Sequence, residues 1–382
     1  MISYGRQHID GDDIDAVVQV LRSDWLTQGP AVKAFERSFS AAVGAEHAIA
    51  VSSATAGLHV SCLALGLKEN EYLWTTPNSF VASANCALYC GANVEFVDIN
   101  PVTRNLCPDK LTEQLAIASA KSVLPKILVV VHFAGLPCDL AKIRELTNYY
   151  GVYLIEDAAH AVGSQYNESP IGSGLHSDIT VFSFHPVKTL AAGEGGIVVT
   201  NDVTLATKIS QLTNHGVERN AENFITGGSS PCYYEQQLLG FNYRMSDIHA
   251  ALALSQLNKL TSFVEARRHL VERYNQALKN TALQLPVEPE GYFSAWHIYV
   301  VTFTSLSQRN HCYELLRANN IFTNVHYIPI HKHPYYYHLN RQFGSDFPSA
   351  EHHYECALTL PLYVDLSEAD QDKIIRLVKE VV

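Results

Sequence analysis

Long apolar runs are missing from this chain of 382 residues. None approaches the roughly 18 residues that a membrane-spanning helix needs, and no charged stretch followed by an apolar one reads as a leader. Positive charge is also in deficit. Lys and Arg number 27 against 38 Asp and Glu, for a formal net charge of −11, which makes nucleic acid an unfavourable partner. The eight cysteines (62, 86, 90, 107, 138, 232, 312 and 356) form no CxxC. Scattered in a chain of this size, they read as reduced thiols, mostly in the core, and point to the cytoplasm. There is no internal repeat and no low-complexity tract. No GxGxxG follows a strand, and Gly172-Ser173-Gly174 precedes one, so a nicotinamide fingerprint is absent. His326, His331, His333, His338, His352 and His353 cluster in sequence and suggest a metal at first glance, but no CxxC accompanies them, which speaks against a metal site.

What the chain does have is 47% hydrophobic and 17% charged residues, the composition of a globular protein with room for two domains. Short apolar runs predict strands over Ala48 to Ser52, Tyr72 to Thr76, Val94 to Asp98, Ile127 to Val131, Val152 to Ile155, Ile179 to Phe184 and Gly196 to Thr200. Helical stretches separate the first five and precede the sixth. That alternation predicts an α/β fold with a largely parallel sheet covered on both faces. The last two runs are too close for a helical crossover and read as a hairpin. Residues 1–30 read as an N-terminal arm, with a helix over Asp12 to Leu21 and the loop Trp25 to Pro30. A large domain is expected over 31–260. From Ser246 the pattern changes to long helices, Asp247 to Leu260 and Ser262 to Lys279, then a strand over Trp296 to Thr304, an extended run over Ile321 to Ile330 and a closing helix. A smaller α+β domain is expected over 261–382.

Lys188 lies between the last two strands of the large domain, in a segment closed by Gly193, Gly195 and Gly196. A lysine there reads either as a Schiff-base lysine holding pyridoxal phosphate (PLP) or as a solvated loop lysine. Asp157 stands at the carboxyl end of the run Val152 to Ile155, where ligands gather in open α/β sheets. It reads as the partner of a protonated pyridine nitrogen or as a helix cap. Ser53 and Thr55 stand at a strand-to-helix turn whose free N–H groups suit a dianion, or else they merely cap the helix.

The stretches SSATAGLHV, TTPNSFVASANCAL, LIEDAAHAVGSQY, VFSFHPVKTLAAGEGGIVVT, NHGV and GFNYRMSDIHAALALSQL, in that order, resemble the DegT/DnrJ/EryC1/StrS family of sugar aminotransferases. That resemblance implies the fold type I PLP-dependent transferase (aspartate aminotransferase-like) with seven strands, and PLP as cofactor. It also implies a homodimer with shared active sites, L-glutamate as amino donor and a UDP-sugar as acceptor. Carried onto this sequence, it makes Lys188 and Asp157 catalytic. It places the cofactor among Thr55, Ala56, Phe80, Asp157, His160, Ser183, Lys188 and Asn242, with Phe80 stacking on the ring and Asn242 reaching the neighbouring subunit's phosphate. His160 stands where the family often has Gln, contacting the ring hydroxyl through a ring N–H. The implied sugar site is Tyr4, Leu26, Thr27, Gln28, Gly29, Ser53, His215, Asn324, Val325, His326 and Tyr327. LTQG near the start and NVHYIPIH near the end resemble the branch acting in pseudaminic acid synthesis. This implies amino transfer to C4 of a UDP-linked 4-keto-6-deoxy-N-acetylhexosamine, with a bacillosamine-type or dTDP-sugar aminotransferase as the alternative. A dehydratase branch has His where this chain has Lys188.

Overall fold

The computed structural model describes residues 1–228, 230–339 and 346–382. The main elements of the first two-thirds are α1 (Gly11–Leu21), α2 (Pro30–Val43), β1 (His47–Val51), α3 (Ala54–Ala64), β2 (Tyr72–Thr75), α4 (Ala82–Tyr89), β3 (Asn93–Phe96), α5 (Pro108–Ala120), β4 (Ile127–Val131), α6 (Leu140–Tyr150), β5 (Tyr153–Asp157), β6 (Ile179–Ser183), β7 (Gly196–Thr200), α7 (Val203–Thr213) and α8 (Asp247–Leu257). The seven strands form one sheet in the order β1-β7-β6-β5-β4-β2-β3. β7 runs antiparallel to both of its neighbours, and the remaining pairs are parallel. The predicted hairpin is therefore β6–β7.

Strand β4 is buried at every position because both faces of the sheet are covered. The two-residue alternation of a strand divides its side chains between two cores. Leu128 and Val130 join Leu154, Phe182, Ile197 and Val199 on one face. Ile127 and Val129 join Ile155, Ile179, Val181 and Val198 on the other. A third core lies elsewhere in sequence, built by Leu270, Tyr274, Tyr299, Val301, Leu316 and Ile374. It forms around the long helix Leu260–Leu278 and the antiparallel pair Tyr299–Thr302 and Ala357–Leu360.

Two element edges differ from the sequence reading in ways that matter. The run expected to end at Ile155 continues to Asp157, because β5 stays in register with β4 (Val131 opposite Asp157) and with β6 (Asp157 opposite Val181). The strand expected from Trp296 starts at Tyr299. Trp296 takes a positive φ of 48°, and the His297 N–H donates to the Ala134 carbonyl, so a tertiary contact ends the extended run.

The first 30 residues pack onto the body. Asp13 is fully buried and accepts from Ser255 Oγ at 2.6 Å and Gln256 Nε2 at 2.7 Å on α8, and it pairs with Lys259 Nζ at 3.0 Å just past the end of that helix. The buried carboxylate of Asp247 accepts the N–H groups of Gly29 (2.8 Å) and Ala31 (2.9 Å), satisfying donors at the start of α2 across 218 and 216 positions of sequence. Asp247→Ala is expected to destabilise the fold by about 2 kcal/mol, seen as a lower urea midpoint at unchanged slope. A midpoint equal to that of the parent protein would mean the bonds are not formed in solution.

Candidate active site

A cavity of about 460 Å³ opens at the carboxyl ends of β4, β5 and β6. Three local rules build its wall. Strand alternation turns neighbouring side chains of β5 to opposite faces. Glu156 points away, accepting from His132 Nε2 at 2.7 Å and from Thr180 Oγ1 at 3.0 Å. Burial pushes the Glu156 carboxyl up, but these donors outweigh it and hold the group below its usual range. Asp157 points into the cavity. Its Oδ2 accepts from Ser83 Oγ at 2.6 Å and its Oδ1 from the Ala159 N–H at 3.1 Å. The second rule is the long connection from β6 to β7, residues 184–195, which carries Lys188 into the same cavity. Burial depresses the Lys188 ammonium to about 8, opposed by the charge of Asp157. The third is the β1–α3 turn. Ser53 caps α3 by accepting the Ala56 N–H at 3.1 Å. The N–H groups of Ala54 and Thr55, in the first turn, have no carbonyl four residues back within the helix and are left for a ligand.

A Cβ on Gly196 would lie 2.6 Å from the Ala54 nitrogen and 2.8 Å from the Ser53 carbonyl carbon. The hairpin thus lies against the anion-binding turn only because residue 196 has no side chain. An amine, a carboxylate and a helix N-terminus around one cavity fit the aldehyde, the ring nitrogen and the phosphate of PLP respectively.

Of the residues expected from sequence, Tyr4, Ser53, Thr55, Phe80, Asp157, His160, Ser183, Lys188, Asn324, Val325, His326 and Tyr327 line this cavity. Phe80 is 60% exposed, an apolar face free to cover a flat ring. Burial and the Lys188 charge push His326 down to about 3, so it is neutral; its Nδ1 lies 2.8 Å from Thr359 Oγ1 and its carbonyl accepts from His353 Nε2 at 3.0 Å. Both ring nitrogens of His160 already have protein partners, Ala134 N–H and Tyr327 Oη. The expected N–H contact from His160 to a ring hydroxyl is therefore not available in this arrangement.

Ala56, Leu26, Thr27, Gln28, Gly29, His215 and Asn242 do not line the cavity of their own chain. Most of them gather instead around the strip 241–247. Thr27 bridges Ser246, Asn242 bridges Asn214, and the His215 N–H donates to the Phe241 carbonyl at 2.9 Å. Arg244, on the same strip, donates to Asn214 Oδ1 at 2.6 Å. Among the C-terminal histidines, His331 meets Glu351 at 3.0 Å, and the described residues contain no group of three or more metal-ligating side chains.

Sequence reasoning missed Ser79, Ser83 and His297. Ser79 Oγ lies 2.7 Å from Ser83 Oγ, which in turn donates to Asp157. The four-residue spacing of two serines across the start of α4 was the available signal. His297 is buried against His160, with ring centroids 4.4 Å apart. It sat inside an apolar run and nothing in its sequence marked it.

The family model of the DegT/DnrJ/EryC1/StrS aminotransferases matches residues 7–379. The spore coat polysaccharide biosynthesis protein SpsC of Bacillus subtilis is 38% identical over 389 residues, covering 100% of this chain and 97% of its own. PseC of Helicobacter pylori, an aminotransferase involved in the biosynthesis of pseudoaminic acid, superposes with a TM-score of 0.88 at 27% identity, covering 100% of this chain and 98% of its own. A putative sugar aminotransferase of Streptococcus pneumoniae, Spr1654, has a TM-score of 0.88 in its PMP form at 26% identity, covering 100% and 99% of the two chains. It is also solved in a PLP form.

Proposed function

This chain belongs to the DegT/DnrJ/EryC1/StrS aminotransferase family of PLP-dependent sugar aminotransferases, and on that premise we propose that it moves the amino group of L-glutamate to C4 of a UDP-linked 4-keto-6-deoxy-N-acetylhexosamine. The product would be UDP-4-amino-4,6-dideoxy-N-acetyl-β-L-altrosamine, a precursor of pseudaminic acid. The observation that carries the reading is the placement of Lys188, Asp157 and the start of α3 on one cavity wall.

Bound PLP supplies an electron sink that makes the Cα proton of the amino donor labile. The protein's residues do the rest. Asp157, fixed by Ser83 and by the Ala159 N–H, keeps a negative charge facing the ring nitrogen. Lys188 Nζ, depressed by burial, takes the Cα proton as base and returns it as acid. Thr55 and Ser183 offer hydroxyls to the phosphate, and Phe80 covers the ring. Tyr4, Asn324, Val325 and His326 lie where a sugar would enter. Leu26 to Gly29, His215 and Asn242 are assigned to the cavity of a second copy, in a cytoplasmic homodimer. That assignment is supported by their gathering on one strip outside the cavity of their own chain. The pseudaminic-type acceptor is supported by the LTQG and NVHYIPIH stretches and by the likeness to PseC.

Purified protein is to be assayed with glutamate and paired UDP-4-keto-6-deoxy-N-acetylhexosamines that differ in ring configuration, with product stereochemistry read by NMR. Amination of the β-L sugar is expected. Turnover of the α-D gluco-configured sugar alone would instead give a bacillosamine-type enzyme. A further expectation follows from the Lys188 ammonium lying near 8. Only the neutral amine attacks an aldehyde, so the rate at which cofactor-free protein captures PLP should rise with pH and level off above about 8. Stopped-flow absorbance measures this, and a rate that falls across the same interval would contradict it.

A further inference from the structure

The order of protons around His160 is fixed by the backbone. His160 is 5% exposed, and its Nδ1 lies 3.3 Å from the Ala134 nitrogen. A backbone N–H can only donate, so Nδ1 is the bare acceptor and the proton of the neutral ring sits on Nε2. Nε2 lies 3.0 Å from Tyr327 Oη. That hydroxyl must then accept from His160, and its own hydrogen has to point elsewhere. Burial first, and then the charge of Lys188, hold His160 far below its usual pKa. The doubly protonated ring that would break this order is thereby suppressed. Burial pushes the Tyr327 phenol up, so it keeps its hydrogen. The phenol is held from its other end too, since the Tyr327 N–H donates to Asn78 Oδ1 at 3.3 Å. The ring of His297 covers one side of His160.

We propose that the chain Ala134 N–H to His160 to Tyr327 makes the Tyr327 hydroxyl an obligate hydrogen-bond donor to a carbonyl or anionic oxygen bound in the cavity. This rests on the cavity being the cofactor and sugar site. Two bound oxygens have the required chemistry: the phenolic oxygen of the pyridine ring and the keto oxygen of the sugar. Either would receive a donor that cannot turn round to accept. The order would discriminate against a bound hydroxyl that offers its hydrogen to this position. His160 acts through Tyr327 and is a positioning residue.

Two measurements test this. Spectra of 15N-histidine-labelled, cofactor-free protein, with the His160 signal assigned by its loss in His160→Gln, should place the proton on Nε2. A proton on Nδ1 would overturn the proposal, whatever the substrate proves to be. Tyr327→Phe separates the two sources. If the acceptor is the ring oxygen, the pH midpoint of the bound cofactor's visible band moves and PLP binds roughly tenfold more weakly. If it is the sugar's oxygen, the cofactor readouts stay and KM for the keto sugar rises roughly tenfold. A variant that moves neither readout would show that the hydroxyl donates to nothing bound there. Turnover of a different sugar by the parent protein would revise the proposed function and leave the histidine spectra and the cofactor readouts standing as tests.

Discussion

Lys188→Ala is expected to lower turnover by about 10⁴-fold and to abolish the visible absorbance of the loaded protein. The size of the effect comes from the lysine having two tasks that no neighbour can take over. It is the amine that the cofactor's aldehyde meets, and it is the base that moves a proton at Cα. The other basic groups on the cavity wall are poor substitutes. His160 and His297 are held far below their usual pKa by burial, and the nitrogens of His160 are engaged within the protein. The variant should fold, because removing an ammonium that burial already disfavours relieves a cost of the native state. A folded Lys188→Ala protein with near-parental transamination would remove Lys188 from the chemistry.

Asp157→Asn is expected to cost about 10³-fold in turnover with the fold intact. The amide has the size of the carboxylate, and its oxygen still accepts from Ser83 or from the Ala159 N–H. What it lacks is the charge that keeps the ring nitrogen protonated. The variant carries a second signature. Asp157 raises the Lys188 pKa against the pull of burial, so without that charge the pH dependence of PLP capture should move to lower pH. A turnover loss without that shift would show that the two side chains do not share a site. Parental turnover would show that no charge is needed opposite the ring.

Much of this arrangement was legible before any coordinates. The run Ile127 to Val131 was apolar throughout and Gly196 to Thr200 nearly so, and both are strands buried on two faces. A continuous apolar run is what burial on both faces demands. Asp157 and Lys188 stood out because a charged residue at the end of a buried strand, or between two of them, requires a reason. The unreadable parts depend on distance in sequence. Ser83 meets Asp157 across 74 positions and Tyr327 meets His160 across 167, and no periodicity within either segment encodes those meetings. The three-residue step from Asp157 to His160 does not correspond to a turn of helix either. Residues 158–164 form turns rather than a helix, so the orientation of His160 is set by Ala134 and Tyr327. The strand start at Tyr299 was misplaced for the same reason, since the carbonyl of Ala134 captures the His297 N–H.

One experiment meets the central claim, that Lys188 is the amine that holds PLP, without relying on any substrate. The PLP-loaded protein is reduced with borohydride, digested and mapped by mass spectrometry. A pyridoxyl group on the peptide containing Lys188, at near-stoichiometric yield, is the expected result. A label on any other lysine, or a protein that takes up PLP and yields no labelled peptide, would contradict it.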